Sequence, residues 1–183
     1  MSDIEEIIES FLSNPKLQPY PVHEYAFLRP IDVPFSAEVR KACERNACGM
    51  YGKCWSCPPG VGDWEMLRDH FQTYMHAFVY TTKHILGDSF DVEGMTDGNR
   101  AHHRVDDALL RLLSDCATHE MVGAEGCHLC EHCTYPDAPC RHPDLARRSM
   151  EACGIDVVTL ARNSGIHYMN GVNTVTYFSI LFW

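Results

Sequence analysis

Eight cysteines fall into two runs whose spacing can hold metal. The first, in "CERNACGMYGKCWSCPPG", is Cys43, Cys48, Cys54 and Cys57, spaced C-x4-C-x5-C-x2-C. The second, in "GCHLCEHCTYPDAPC", is Cys127, Cys130, Cys133 and Cys140, spaced C-x2-C-x2-C-x6-C. Thiolates are soft ligands, and four in a tetrahedral array satisfy either zinc or a four-iron cubane. A structural zinc site usually pairs two C-x2-C knuckles across a longer excursion. A tight run of three cysteines two residues apart suits a cubane, whose corners each take one thiolate from a chain wrapped around it. Cys57 is followed directly by Pro58, like the cysteine-proline end of bacterial ferredoxin motifs, although the gap before Cys140 is longer than theirs. The expectation is two [4Fe-4S] clusters, with one cluster plus zinc, or two zinc ions, as alternatives. Spacing leaves open whether each run serves its own centre or the runs exchange ligands.

Neighbouring residues have plainer readings. Cys116 lies on the apolar stripe of a helix and reads as an inert buried thiol. Cys153, in "MEACGID", reads as structural, with a reserve ligand or redox thiol as the other role. His128, His132 and His142 flank the second run, and His102 and His103 start a helix; eight cysteines already complete two ligand sets, so these read as surface or supporting residues. Arg40, Lys41, Arg45 and Lys53 surround the first run and Arg141, Arg147 and Arg148 follow the second, where they offset a negative cluster or simply meet solvent. Trp55 and Tyr51 read as shields that keep water from the first centre.

Composition bounds what such a site can serve. The 183 residues, 45% of them hydrophobic, make one metal-binding domain over residues 1–183 with a sizeable core. Ten cysteines without a basic, apolar, cleavable leader point to reduced ligands in the cytoplasm and away from an extracellular disulfide framework. The longest apolar run, Tyr177 to Trp183, is too short to insert into a membrane. A formal charge of -10, from 25 acidic and 15 basic residues, argues against nucleic acid as a partner. No phosphate-cradling glycine loop, nucleophile elbow or adjacent carboxylate pair marks a nucleotide enzyme or hydrolase.

The elements that must position the cysteines can be read along the chain. An amphipathic helix spans residues 2–13, with Ser2 as cap and Ile4, Ile7, Ile8, Phe11 and Leu12 at helical spacing. An extended piece follows at Val22 to Leu28, then a helix in "PFSAEVRKACERNA" that runs into the first cysteine loop, residues 43–57. "DWEMLRDHF" reads as a helix and "TYMHAFVYTT" as a central strand with bulky side chains on both faces. Lys83 to Asn99 reads as a loop that covers something, with Asp88, Asp91, Glu93 and Asp97 as a candidate lid. Val105, Ala108, Leu109, Leu112, Leu113 and Cys116 form the stripe of the next helix. "HEMVGAEGC" is a short strand leading into the second cysteine loop, residues 127–140. Residues 142–165 read as helical, broken near Gly154 and stopped at Gly165, and "NTVTYFSILFW" is the strongest strand. The fold class expected is α/β: a single layered domain with a small mixed β-sheet and two cysteine-rich metal-binding loops.

"VRKACERNACGMYGKCWSCPPGVG", followed by "GCHLCEHCTYPDAPCRHPDLARRSMEACGIDV" and "VTYFSILF", resembles the uncharacterised prokaryotic family of predicted metal-binding proteins known as domain-of-unknown-function family 2284. The resemblance runs from about Tyr20 onward. It implies a metal-binding role for the eight cysteines, framed by motif residues that include Gly52, Pro58, Pro59, Pro139, Ser149, Met150, Glu151, Gly154, Ile155 and Asp156, and it implies no substrate. The leading functional expectation is an iron-sulfur protein carrying electrons to or from a partner redox enzyme. A redox enzyme acting on a small substrate at an open cluster site stands beside it, and a zinc-stabilised scaffold or interaction protein is the third. The sequence leaves carrier against enzyme, the redox partner and the oligomeric state open.

Overall fold

The computed structural model describes residues 3–116, 118–127 and 129–183. The expected cap at Ser2 and the histidine at position 128 lie outside the described residues. In chain order the elements are α1 (Asp3–Ser13), β1 (Tyr25–Leu28), α2 (Ala37–Glu44), α3 (Trp64–Phe71), β2 (Ala77–Ile85), α4 (Val92–Leu112), β3 (Glu120–Val122), α5 (Val157–Asn163) and β4 (Thr174–Phe182). Among the described residues no helix is long and apolar enough to cross a membrane.

The strands form one four-stranded sheet in the order β1-β2-β4-β3. All three ladders are antiparallel. The mixed sheet expected from sequence is therefore antiparallel in its named strands, and a parallel pairing occurs in the isolated bridge between Gly123 and Ser149. β2 and β4 pair along their whole length, from Ala77 opposite Phe182 to Ile85 opposite Thr174. Both are covered on two faces, which is why their side chains are bulky on both sides. Phe78, Tyr80 and Leu181 point to one face and pack with Ile4, Ile8 and Phe11 of α1 and Val105 and Leu109 of α4. Ala77, Val79, Phe178, Ile180 and Phe182 point to the other, against Leu67 and Phe71 of α3 and Leu160 and Ala161 of α5. Two helical layers thus enclose the sheet, an arrangement that buries the apolar stripe of each helix.

Two segments depart from their sequence readings. Lys83 to Asn99 forms no lid: Lys83 to Ile85 extend β2, and α4 already begins at Val92. The aspartates that read as loop residues start the helix, since the Asp91 carboxylate accepts a hydrogen bond from the Gly94 N–H at 2.8 Å. Gly98 lets α4 cross β2 closely, because a Cβ there would lie 2.9 Å from the His84 ring. His102 and His103 consequently sit mid-helix, with His102 fully buried. Residues 142–154 form turns with no α-helix, and α5 starts only after Asp156 caps it. Their backbone bonds go sideways: Met150 N–H donates to Gly123 at 3.1 Å and Ser36 N–H donates to Gly154 at 2.8 Å. These bonds tie the segment to the end of β3, just before the second cysteine run, and to the start of α2, whose last turn carries Cys43.

Candidate metal centre

Cys43 sits in the last turn of α2. The chain then reverses through Asn46, Gly49 and Gly52, all with positive φ. The Asn46 side-chain Oδ1 accepts from the Tyr51 N–H at 2.9 Å, and Gly52 N–H donates to the Pro58 carbonyl at 2.7 Å, closing a compact loop. This loop leaves Cys48 exposed, Cys43 half-buried, and Cys54 and Cys57 buried. The second run is held by its own turns: Ala138 N–H donates to Thr134 at 3.0 Å, the Thr134 hydroxyl to Pro139 at 2.8 Å, and Arg141 to the His132 carbonyl at 2.9 Å. Cys127, Cys130 and Cys140 are half-buried there, and Cys133 is exposed.

The two runs interlock through residues whose importance spacing alone does not reveal. The buried Ser56 hydroxyl lies 3.3 Å from Cys54 Sγ and accepts the Cys127 N–H at 2.9 Å. Gly126 passes so close that a Cβ would lie 3.1 Å from Cys57 Sγ and 3.9 Å from Cys54 Sγ. Trp55 donates its indole N–H to Ala138 at 3.1 Å and meets the Tyr135 ring edge-on. Trp55 therefore ties one run to the other, and it lines the cleft of the second run while the cavity of Cys43, Cys48 and Cys57 lacks it. The signals available in sequence were slight: a serine inside the C-x2-C and a glycine just before Cys127.

Among the described residues the cysteines border three spaces, one of about 490 Å³ at Cys140 and two that each take several of them. Cys54, Cys127, Cys130, Cys133 and Cys140 line a narrow cleft with about 30 Å³ of free volume, with Trp55 and His142 beside them. Cys43, Cys48 and Cys57 line a larger cavity of about 690 Å³, together with Tyr51, Glu125 and Glu151. The donor set suits a soft metal, and at Gly126 the backbone leading into the second run passes close to the Cys54 and Cys57 thiols. Among the described residues, however, no group of three or more His, Cys, Asp or Glu side chains converges on a single metal position. The thiols surround the two spaces without closing on a point.

Electrostatics within this region are uneven. A hydrogen bond from Cys57 is the main effect that lowers the Cys54 thiol pKa, against burial, with Ser56 adding to it; the same bond is the main effect raising Cys57. Burial raises Cys43, reinforced by Glu151 and Cys48, and burial also raises Cys127. Glu151 lines the cavity and is exposed to solvent, and the protein around its carboxyl, with the Glu125 charge, raises its pKa. Asp156 is occupied in capping α5, where it accepts from Thr159 N–H at 2.9 Å.

Other candidates lie elsewhere. Cys116 packs at the margin of the α1–α4 core, and Cys153 is fully buried in the opposite core, where desolvation raises its thiol pKa. His102 and His103 belong to α4, remote from the cysteine-lined spaces, and Asp97 is paired with Arg100 on its surface. Several basic residues are engaged: Arg40 donates to the carbonyls of Ala152 and Gly62, Arg147 pairs with Asp107, and Arg148 pairs with Glu120.

Comparisons with curated proteins and with solved structures find no match. A family model does match, over residues 26–183, and its span takes in both cysteine runs and all four strands but for Tyr25. The chain belongs to the family described as "Predicted metal-binding protein (DUF2284)".

Proposed function

We propose that this metal-binding protein carries iron-sulfur clusters in the two cysteine-lined spaces and passes electrons to or from a partner redox enzyme. The observation that supports it is the interlock at Ser56 and Gly126, which sets eight thiols around two adjoining spaces. Adjacent clusters in such spaces supply one-electron transfer when bound. The protein's own part is to hold thiolates, to cover the cleft with Trp55, and to donate backbone N–H groups such as that of His142, which reaches Cys140 Sγ at 3.4 Å. Iron and acid-labile sulfide, measured on protein isolated without oxygen, test the assignment. About four irons per centre and reversible reduction by a strong donor are expected. A protein that binds iron and sulfide but cannot be reduced reversibly defeats the carrier role.

Two observations favour other readings. The cavity of about 690 Å³ beside Cys43, Cys48 and Cys57 leaves room for a small molecule, as a redox enzyme with an open cluster site requires. The five-thiol cleft, at about 30 Å³, has room for a single ion and widens if it takes a cubane, which favours zinc there. A colourless protein with zinc and no sulfide selects the scaffold reading.

A further inference from the structure

We infer that the end of the sheet where β2 stops and β4 starts is a docking surface for a partner protein whose contact face is apolar at its centre and rimmed with lysine and arginine. Phe90, Val172, Ile85 and Met169 are its anchors, and Asp88 and Glu93 meet the cationic rim. The inference adds a surface to the metal-binding protein and does not rest on any metal being bound.

Apolar side chains exposed singly are common on any protein, whereas a group of them marks a contact surface. Among the described residues the four most exposed large apolar side chains are Phe90 at 89%, Val172 at 87%, Ile85 at 85% and Met169 at 82%. All four sit on two neighbouring tips. Ile85 is the last residue of β2 and pairs with Thr174, the first of β4. Beyond that pair the Leu86 N–H donates to the Asn173 carbonyl at 2.8 Å, and the Ser89 hydroxyl donates to the Asn173 side-chain oxygen at 3.1 Å. Phe90 follows Ser89 and Val172 precedes Asn173, so the two tips carry them at the same end of the sheet. Val92, also exposed, opens α4 there.

The tips are pinned by hydrogen bonds. The Asp88 carboxylate accepts the Phe90 N–H at 2.7 Å, and the Asp91 carboxylate accepts the Gly87 and Gly94 N–H groups, each at 2.8 Å. The other tip turns through Gly171 and Asn173, both with positive φ, and the Asn170 amide donates to the His167 carbonyl and the Thr176 hydroxyl, each at 2.9 Å. A surface fixed in this way loses little conformational entropy when a partner covers it. Charge then chooses the occupant. Residues 84–99 hold four acids, Asp88, Asp91, Glu93 and Asp97, and no lysine or arginine, while residues 164–183 carry no Asp, Glu, Lys or Arg. Arg100 pairs with Asp97, which leaves the rim negative. A second copy would bring the same rim within its own net charge of -10, and an anionic membrane surface would also be repelled. A cationic rim is attracted instead, and the attraction speeds encounter. The surface also borders a cysteine-lined space, because Met169 follows Tyr168, which stacks on Phe178 and lines the cavity of Cys43, Cys48 and Cys57.

The test uses the full chain and, as probe, a fluorescently labelled helical peptide with a leucine face flanked by lysines, its binding followed by anisotropy. The wild type should bind it, and more weakly as salt rises. Phe90→Ser and Val172→Ser should each weaken binding about tenfold, as the loss of a central apolar anchor does. Glu93→Lys should weaken it chiefly by slowing association. Met66→Ser, which removes an exposed apolar side chain from α3, and Glu9→Lys, which makes the same charge change on α1, should bind as wild type does. No binding by wild type, or equal losses in these two controls, overturns the proposal. A measurement without substitution covers variants that fail to fold: the peptide should slow backbone hydrogen exchange of the wild type at residues 85–92 and 169–173, and unchanged exchange there overturns it. Two further outcomes assign the surface to another occupant and also overturn the proposal. One is a wild type that sediments as a dimer while Phe90→Ser sediments as a monomer, which gives the surface to a second copy. The other is co-sedimentation with phosphatidylcholine vesicles that Phe90→Ser abolishes, which gives it to a membrane. Iron and sulfide content is independent of all these readouts, so failure of the docking surface leaves the metal reading standing, and the reverse holds.

Discussion

The Ser56 hydroxyl, buried between two cysteines of the first run, accepts the backbone N–H of Cys127, the first cysteine of the second run, at 2.9 Å. Replacing Ser56 with alanine leaves that half-buried N–H without its partner, a loss of about 1 kcal/mol. The Ser56→Ala protein should unfold at lower urea concentration and lose metal faster to a chelator than wild type. Unchanged values for both would mean that the runs hold together without this bond.

Cys130 and Cys116 should behave oppositely. Cys130→Ala removes a thiol from the five-thiol cleft and should lower metal content there, with a less stable fold because metal binding and folding are coupled. Cys116→Ala removes a half-buried thiol from the margin of a core and should cost on the order of 1 kcal/mol while leaving metal content intact. Metal analysis and EPR on the two variants side by side check the division. Loss of metal from the Cys116 variant would assign that thiol to a centre.

Gly60 is a point where the first run cannot accept a side chain. A Cβ there would lie 2.7 Å from the Cys54 carbonyl and 2.8 Å from the Tyr135 ring, so Gly60→Ala must push the runs apart. The expected cost is about 1–3 kcal/mol, the range for overpacking. Gly87→Ala, whose Cβ would approach Asp91 at an ordinary 3.4 Å, serves as the control and should change the unfolding midpoint little. Equal midpoints for the two variants would show that the loop at Gly60 yields freely.

Stability should fall in mild acid for a reason separate from the cysteines. Burial lowers the His84 pKa to about 4, with smaller effects from His102 and Arg104, and burial also lowers His102. The unfolded chain takes up these protons near the ordinary histidine value, about 6.5, while the folded chain resists until lower pH. The stabilising effect is complete above about 6.5 and is lost as pH falls toward 4, with a slope for one such group of at most about 1.4 kcal/mol per pH unit. Urea midpoints across this range should therefore decline more steeply for wild type than for His84→Gln. Parallel declines would place the acid sensitivity elsewhere.

Elements with a strong period or a plain cap were legible before the structure: α2 begins after Ser36, α3 after Asp63, and β4 follows its β-branched and aromatic run. The start of α4 was not, because Gly94 and Gly98 read as loop glycines until the close crossing over His84 explains the second of them. Residues 142–154 misled in the opposite direction: their composition fits a helix, but their N–H groups find partners on neighbouring segments. At the candidate centre, the cysteines and their spacing were legible. Which space each residue borders was not, since Cys54 and Cys57 differ by three positions in sequence but line different spaces.

The sheet order carries a consequence for the sequence of events during synthesis. Among the described residues β3 has β4 as its one strand partner, and β2 has β4 as its longer partner, so the middle of the sheet stays vacant until residues 174–182 have been made. Both cysteine runs are translated before that strand. β1 and β2 can meet as a short antiparallel pair in the meantime, and the segment that leads into the second run has the turn at residues 148–150 beside it but not yet its strand partner. The long-range pairing that completes the sheet is also the slow kind, because distant parts of the chain must find each other. All eight thiols therefore pass through a period on an unfinished frame, when oxidation or misplaced metal meets little structural resistance.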